Sequence, residues 1–131
     1  MIKRAIKAVP LRAIGPYNLA IEVNGALYVS GQIHLDPESE RLVGDNVSDQ
    51  TKQCLENLES VLISAGYTIY DVVKTTVYLI DMDDFSEMND IYGAYVKAPF
   101  PARSTIQVAG LPLGARVEIE AIAIKNSHQQ Y

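Results

Sequence analysis

The sequence predicts an α+β fold in which two helices cover one face of a single mixed sheet of six strands. Segments of alternating polarity, typical of strands, occur near both ends of the chain and in its middle. Two segments between them carry apolar residues at helical spacing. The predicted order is strand–strand–helix–strand–helix–strand–strand, after an irregular arm or edge strand within residues 1–18. With 131 residues and no linker, we expect one domain over residues 1–131.

Composition narrows the class of protein. Hydrophobic residues make up 48% of the chain and charged residues 21%, the balance of an ordinary globular domain. No apolar run approaches the ~20 residues of a membrane helix, and the basic N-terminal segment lacks the apolar core of a signal peptide. The single cysteine, Cys54, suits a reducing compartment, so we expect a cytoplasmic protein. Because no membrane helix is predicted, we also expect no membrane partner. The net charge of −5, without a basic block, argues against nucleic-acid binding.

A β-hairpin is predicted near the N-terminus. Residues 20–23 and 26–30 read as strands, and the Asn24-Gly25 pair between them is typical of a type I′ turn. Gly31 follows directly, and a glycine in a strand indicates either a bulge or the close approach of another group. His34 comes next; we expect it to be exposed or hydrogen-bonded, and without a second ligand at a suitable spacing it predicts no metal site.

The first helix is predicted over residues 47–65. Asn46 or Asp45 can cap its start, and Gly66 can end it. Cys54 lies on the apolar stripe, where we expect it to pack as a small hydrophobic residue. The stripe consists of Val47, Thr51, Cys54, Leu55, Leu58, Val61 and Leu62.

A second helix, over residues 81–96, follows a strand predicted at residues 72–80. Acidic residues at its start suit the helix dipole. Asn89 lies beside the apolar stripe, and it is either an ordinary polar residue or a side chain that points along the sheet rather than into water. The stripe consists of Phe85, Met88, Tyr92 and Tyr95.

Because the chain has no third layer for the other sheet face, we expect self-association.

The segment PFPARSTIQVAGLPLGARVEIEAIAIK, residues 99–125, reads as two strands joined by a tight turn at residues 111–114. Arg103 and Glu118 interrupt runs of small and β-branched residues, where a charge is rarely buried unless it is paired or functional. A solvated outer face, a structural ion pair and a functional site all remain open. In one register the two side chains share a face, and a slip of one residue places them on opposite faces.

This segment closely resembles the C-terminal signature of the RidA family, also called YjgF. Three further segments match in the same order: IGPY at residues 14–17, VSGQI at residues 29–33, and VVKTTVYLIDMDDFSEMNDIY at residues 72–92. The resemblance covers nearly the whole chain. It implies a chorismate-mutase-like fold and a homotrimer with ligand clefts between subunits. It also implies hydrolysis of reactive enamines and imines, such as 2-aminoacrylate from pyridoxal-phosphate enzymes, to 2-oxo acids and ammonia, with no metal or cofactor.

The resemblance implies catalytic roles for three residues. Arg103 would hold the substrate carboxylate, which suits the planar fork of its guanidinium. Glu118 would position or deprotonate the attacking water. Tyr17, in the IGPY segment, would close the pocket; a packing tyrosine is the alternative.

Four residues complete the implied substrate site. Ser30 and Gly31 would face the ligand, and Asn89 matches an asparagine near the cleft in the family. Thr105 stands where many bacterial relatives carry Cys, and its hydroxyl can still donate a hydrogen bond to substrate or water. Arg103 itself also lies in this substrate-binding set.

Two other classes of function remain open from the sequence. A non-catalytic protein could bind 2-oxo acids or other small carboxylates in the same cleft. Some relatives have been described as translation inhibitors, ribonucleases or chaperone-like proteins, although the net charge of −5 argues against a nucleic-acid role. We expect residues 126–131 to form a frayed tail.

Overall fold

A computed structural model describes residues 2–125, so the expectation for the tail at residues 126–131 lies outside the described residues. The strands are β1 Arg4–Ile6, β2 Ala20–Val23, β3 Ala26–Gln32, β4 Val72–Leu79, β5 Ala102–Gln107 and β6 Val117–Ile124. These six strands form a single sheet in the order β1-β2-β3-β6-β4-β5. The helices are α1 Val47–Ser64 and α2 Phe85–Tyr95. The predicted α+β class and mixed sheet are therefore confirmed.

Local sequence signals account for the hairpin and for the ends of α1. Asn24 and Gly25 have φ angles of 49° and 77°, the two positive values that a type I′ turn requires. The Oδ1 atom of Asn46 accepts a hydrogen bond of 2.8 Å from the backbone N–H of Asp49, which caps the first turn. Gly66, with φ of 85°, follows the last turn.

The pairing of the last two strands differs from the prediction. β5 and β6 were expected to form a hairpin, but β4 lies between them, parallel to β5 and antiparallel to β6. The turn chemistry is present, since Leu113 and Gly114 have φ angles of 57° and 74°. At this turn the chain crosses the end of β4. A turn reverses the direction of the chain, but it does not determine which strand the following strand pairs with.

The two faces of the sheet have different environments. Leu27, Val77 and Ile119 are fully buried on the face that α1 and α2 cover. On the opposite face, Tyr28 and Ile106 remain 47% and 45% exposed, and no helix among residues 2–125 covers them. An apolar sheet face of this kind is typical of a surface that a partner buries. Within the described part of the chain, no helix is both long and apolar enough to span a bilayer.

Candidate active site

Arg103 and Glu118 lie on opposite faces of the sheet. Arg103 is the register partner of Thr75, which is buried beneath α2. Glu118 is the register partner of Tyr78, one residue out of phase with the buried Val77, and so it faces the open side. Neither of the two registers considered for a direct pairing applies, because β4 lies between β5 and β6 and places the two charges on opposite faces. A single chain does not bring them together.

Glu118 lines a cleft of about 400 Å³, called here the Glu118 cleft. Tyr17 and Gly31 lie on its walls, so three of the predicted site residues meet there. The remaining walls are largely apolar and are formed by Leu11, Arg12, Ile14, Leu19, Gln32, Ile33, Leu35, Pro112 and Leu113. The arrangement places one carboxyl group at the end of an apolar cavity.

Gly31 provides the space for this carboxyl group. The pairing of β3 with β6 shifts register between Val29 and Gln32, which is a bulge at Ser30 and Gly31. A Cβ atom on Gly31 would lie 2.4 Å from Oε2 of Glu118. Both interpretations of this glycine, a bulge and a close approach, are therefore correct.

The environment of Glu118 favours its protonated form. Burial raises the pKa of the carboxyl group above its usual range, and repulsion from Glu120 on the same strand adds to the effect. A carboxylate with a raised pKa is a stronger base than an ordinary surface glutamate. Glu118 is thus suited to exchange a proton with water or with a bound ligand.

Arg103 lines a second cleft, of about 490 Å³, called here the Arg103 cleft. Its Cζ atom lies 4.7 Å from the ring centroid of Tyr92 and 5.5 Å from that of Phe85. Among residues 2–125, no carboxylate oxygen lies within ion-pair distance of its guanidinium. The cleft thus presents an unpaired cation that rests on aromatic rings, which suits an anionic ligand.

Tyr92 is itself fixed by a buried hydrogen bond. The hydroxyl groups of Tyr92 and Thr75 lie 2.7 Å apart, and both side chains are buried. Burial raises the pKa of Tyr92, while the bond to Thr75 and the charge of Arg103 act in the opposite direction. The ring next to the guanidinium is therefore a neutral phenol whose hydroxyl end is held against β4.

Comparison with known proteins identifies the family. Residues 7–125 match the family model described as Endoribonuclease L-PSP, which is the YjgF/RidA family. The chain belongs to the RidA family. It is 50% identical over 113 residues to the human protein named 2-iminobutanoate/2-iminopropanoate deaminase, covering 86% of this chain and 82% of the human protein.

Solved structures of RidA family members agree with the fold. A crystal structure from Thermotoga maritima matches with a TM-score of 0.92 and 42% identity, covering 95% of this chain and 99% of that chain. The crystal structure of E. coli TdcF with bound serine matches with a TM-score of 0.89 and 35% identity, covering 94% and 99% of the two chains. The RidA resemblance seen in the sequence is thereby confirmed.

Asn89 and Thr105 lie on the Arg103 side of the molecule. Asn89 lines the Arg103 cleft but is exposed to solvent, contrary to the alternative that it points along the sheet. Thr105 lies two residues after Arg103 on β5 and is half-buried on the same face, yet it does not line that cleft.

Ser30 does not lie in the Glu118 cleft. It lines a neighbouring groove with Tyr17, and its Oγ atom donates a hydrogen bond of 2.6 Å to the carbonyl oxygen of Asn18. Its backbone N–H donates to the carbonyl oxygen of Leu19. These contacts tie the IGPY arm to β3, so Ser30 positions the segment that carries Tyr17.

Asn57 is a site-supporting residue that the sequence analysis missed. It is buried on α1, and its Nδ2 atom donates to the carbonyl oxygens of Ile33 and Leu35 at 3.1 and 2.8 Å. Those two residues form a wall of the Glu118 cleft. A polar residue between Leu55 and Leu58, on the buried stripe, was the signal that could have found it.

Cys54 and His34 have no part in either cleft. Cys54 is buried, and burial raises the pKa of its thiol, consistent with the predicted packing role. His34 is buried and its Nδ1 atom has no hydrogen-bond partner within residues 2–125, so the expectation of an exposed or hydrogen-bonded ring was wrong for that atom. In the same residues, no group of three or more His, Cys, Asp or Glu side chains could hold a metal ion.

Proposed function

We propose that this protein hydrolyses 2-imino acids, and enamines such as 2-aminoacrylate that tautomerise to them, giving 2-oxo acids and ammonia. The observation that supports this proposal is a pair of complementary groups. One cleft holds a guanidinium with no carboxylate partner among residues 2–125, and the other holds a carboxyl group of raised pKa. The 50% identity with the human 2-iminobutanoate/2-iminopropanoate deaminase supports the same reaction. The bound serine of TdcF supports recognition of an α-carboxylate.

We further propose that two copies of the chain build each site within a homotrimer. A small imino acid spans only a few ångströms, and Arg103 and Glu118 of one chain face opposite sides of the sheet. The Arg103 cleft of one subunit would therefore meet the Glu118 cleft of its neighbour. The exposed apolar sheet face supports this association. Light scattering should give three times the chain mass; the chain mass itself would refute the shared site.

Each of the two clefts would supply a different part of the reaction: one binds the carboxylate and the other transfers protons. Arg103 binds the substrate carboxylate through two parallel N–H donors, which fixes C2 of the iminium ion. Glu118 accepts a proton from water as the water oxygen bonds to C2, giving a carbinolamine. It then passes that proton to the amino nitrogen. The C–N bond breaks as the hydroxyl proton passes back to Glu118, which releases the 2-oxo acid and ammonia. Ammonia then takes that proton and leaves as ammonium, so Glu118 returns to its carboxylate form.

The reaction needs no metal, redox cofactor or covalent nucleophile. The iminium carbon is already electrophilic, so anchoring and water placement provide the acceleration. Tyr17, at the wall of the Glu118 cleft, would limit entry of bulk water. Thr105 would contribute a hydrogen-bond donor where other family members carry a thiol.

The test is the hydrolysis of 2-aminoacrylate, generated from serine by a dehydratase and followed as pyruvate formation. We expect the wild type to exceed the uncatalysed rate and Arg103→Ala to match that rate. Arg41→Ala, a change of an exposed loop arginine, is the matched control and should behave as wild type. A wild type that only matches the uncatalysed rate would refute hydrolysis of this substrate. Titration with 2-oxobutanoate would then test non-catalytic carboxylate binding.

A further inference from the structure

We propose that Tyr92 is a positioning residue for carboxylate recognition and that Thr75 holds Tyr92 in place. The inference rests on the proposed function, because it concerns how Arg103 is oriented toward the substrate. Neither residue is expected to touch the reacting atoms. Tyr92 also lines the Arg103 cleft, and we expect its ring to act on the substrate carboxylate through the guanidinium.

Arg103 needs an orienting partner that does not occupy its donors. A carboxylate would orient it but would compete with the substrate, and none lies within ion-pair distance among residues 2–125. The Tyr92 ring, at 4.7 Å from Cζ, instead contacts the guanidinium through its π face. A guanidinium held through a ring face keeps its N–H donors free for a bidentate ligand.

The nearer of the two rings is also the better fixed. Phe85 lies 5.5 Å from Cζ and is only half-buried. Tyr92 is 4% exposed, and its hydroxyl group is bonded to Thr75, which is 1% exposed. Tyr92 is therefore the ring that is better placed to hold the guanidinium.

Thr75 connects this contact to the sheet. It is the register partner of Arg103 on the neighbouring strand, so β4, β5 and α2 each contribute one residue to a closed triangle. Movement of the Tyr92 side chain away from β4 would break a buried hydrogen bond whose groups cannot reach water. The position of the guanidinium is thus tied to the two elements that flank it.

The matched control lies one helical turn away. Tyr95 belongs to the same stripe of α2, and its hydroxyl group donates a hydrogen bond of 2.5 Å to Glu59 on α1. Tyr95 does not line the Arg103 cleft. Loss of either ring should lower stability, but only the loss of Tyr92 should change substrate binding.

The experiment measures KM and kcat with 2-aminoacrylate and, separately, the Kd for 2-oxobutanoate. We expect Tyr92→Leu to raise KM and Kd about tenfold with kcat within about twofold, while Tyr92→Phe, which keeps the ring but loses the hydrogen bond to Thr75, should raise them about threefold. Tyr95→Leu should leave KM and Kd unchanged. In an Arg103→Lys background, Tyr92→Leu should have a much smaller effect.

Thr75 provides a second test that does not depend on the folding of Tyr92→Leu. Thr75→Val should raise Kd about threefold, and Thr75→Ser, which restores the hydroxyl, should return it to wild type. Unchanged KM and Kd in Tyr92→Leu and Thr75→Val, with only a lower Tm, would overturn the proposal. If the wild type binds 2-oxobutanoate but does not hydrolyse 2-aminoacrylate, the proposed hydrolase function is refuted and the role of Tyr92 in carboxylate binding is not. If the wild type neither binds 2-oxobutanoate nor hydrolyses 2-aminoacrylate, both proposals are refuted.

Discussion

The carboxyl group of Glu118 occupies the space that a side chain at Gly31 would need. A Cβ atom there would lie 2.4 Å from Oε2 and 2.8 Å from Cδ of Glu118, distances that force a displacement. The displaced group would be the end of a flexible side chain, so the fold itself can absorb the change. The absence of a side chain at Gly31 therefore allows the proposed base to lie where it does.

Gly31→Ala should reduce activity more than stability. A shift of about 1 Å in a catalytic group can lower the rate about 100-fold, so we expect kcat/KM to fall by at least tenfold while Tm changes little. Gly110→Ala is the matched control, because no heavy atom lies within 4 Å of a Cβ built there. Full activity in Gly31→Ala would mean that the position of Glu118 is not critical.

The pH profile should report the raised pKa of Glu118. The base works only when ionised, so kcat/KM should fall as the pH drops through a pKa above the usual range. Glu120→Gln removes the repulsion that contributes to this shift, which lowers the pKa and moves the acidic side of the profile to lower pH. Glu38→Gln, on an exposed loop, should leave the profile in place. If the pH profile of kcat/KM is the same for Glu120→Gln as for the wild type, the assignment of Glu118 as the base is contradicted.

Asn57→Leu should destabilise the fold and disturb the Glu118 cleft. It leaves the carbonyl oxygens of Ile33 and Leu35 without their donor, so the free energy of unfolding should fall by about 1–3 kcal/mol. Urea titration measures this change, and Lys52→Leu, at an exposed position of α1, should stay within about 0.5 kcal/mol of wild type. Equal stability of Asn57→Leu and wild type would show that these bonds are dispensable.

Cys54 should be inert in the folded protein. It is fully buried, and burial raises its thiol pKa, so a disulfide reagent should not react with the native chain or change its activity. The thiol should react fully after unfolding in urea. Thr105→Cys is the positive control, because that half-buried position lies near Arg103. Rapid modification of native wild type would refute the packing role.

Local sequence patterns predicted the helices, strands and turns, but they did not predict which distant strands pair. The Asn24-Gly25 turn and the stripe of α1 depend on neighbours within a few residues, and both agree with the structure. The partner of β5 depends on the whole chain, because β4 inserts between β5 and β6 after two helices have been placed.

The same distinction applies to the candidate site, where single residues were predicted but their arrangement was not. Arg103 and Glu118 were found as charges in otherwise apolar strands, but their separation by the sheet follows from the insertion of β4. Tyr92 was assigned to the apolar stripe of α2, and periodicity alone cannot distinguish a core ring from one that also carries a guanidinium. Thr75 gave no separate signal, since threonine is common in strands.

Complementation between two inactive variants tests the shared site most directly. Arg103→Ala and Glu118→Gln are each expected to be inactive alone. When the two chains are co-expressed and mix at random, about a quarter of the intersubunit sites should receive an intact Arg103 from one chain and an intact Glu118 from the other. We therefore predict about a quarter of wild-type activity from the whole co-expressed pool. Mixed oligomers with no activity, from variants that assemble normally, would contradict a site built by two subunits.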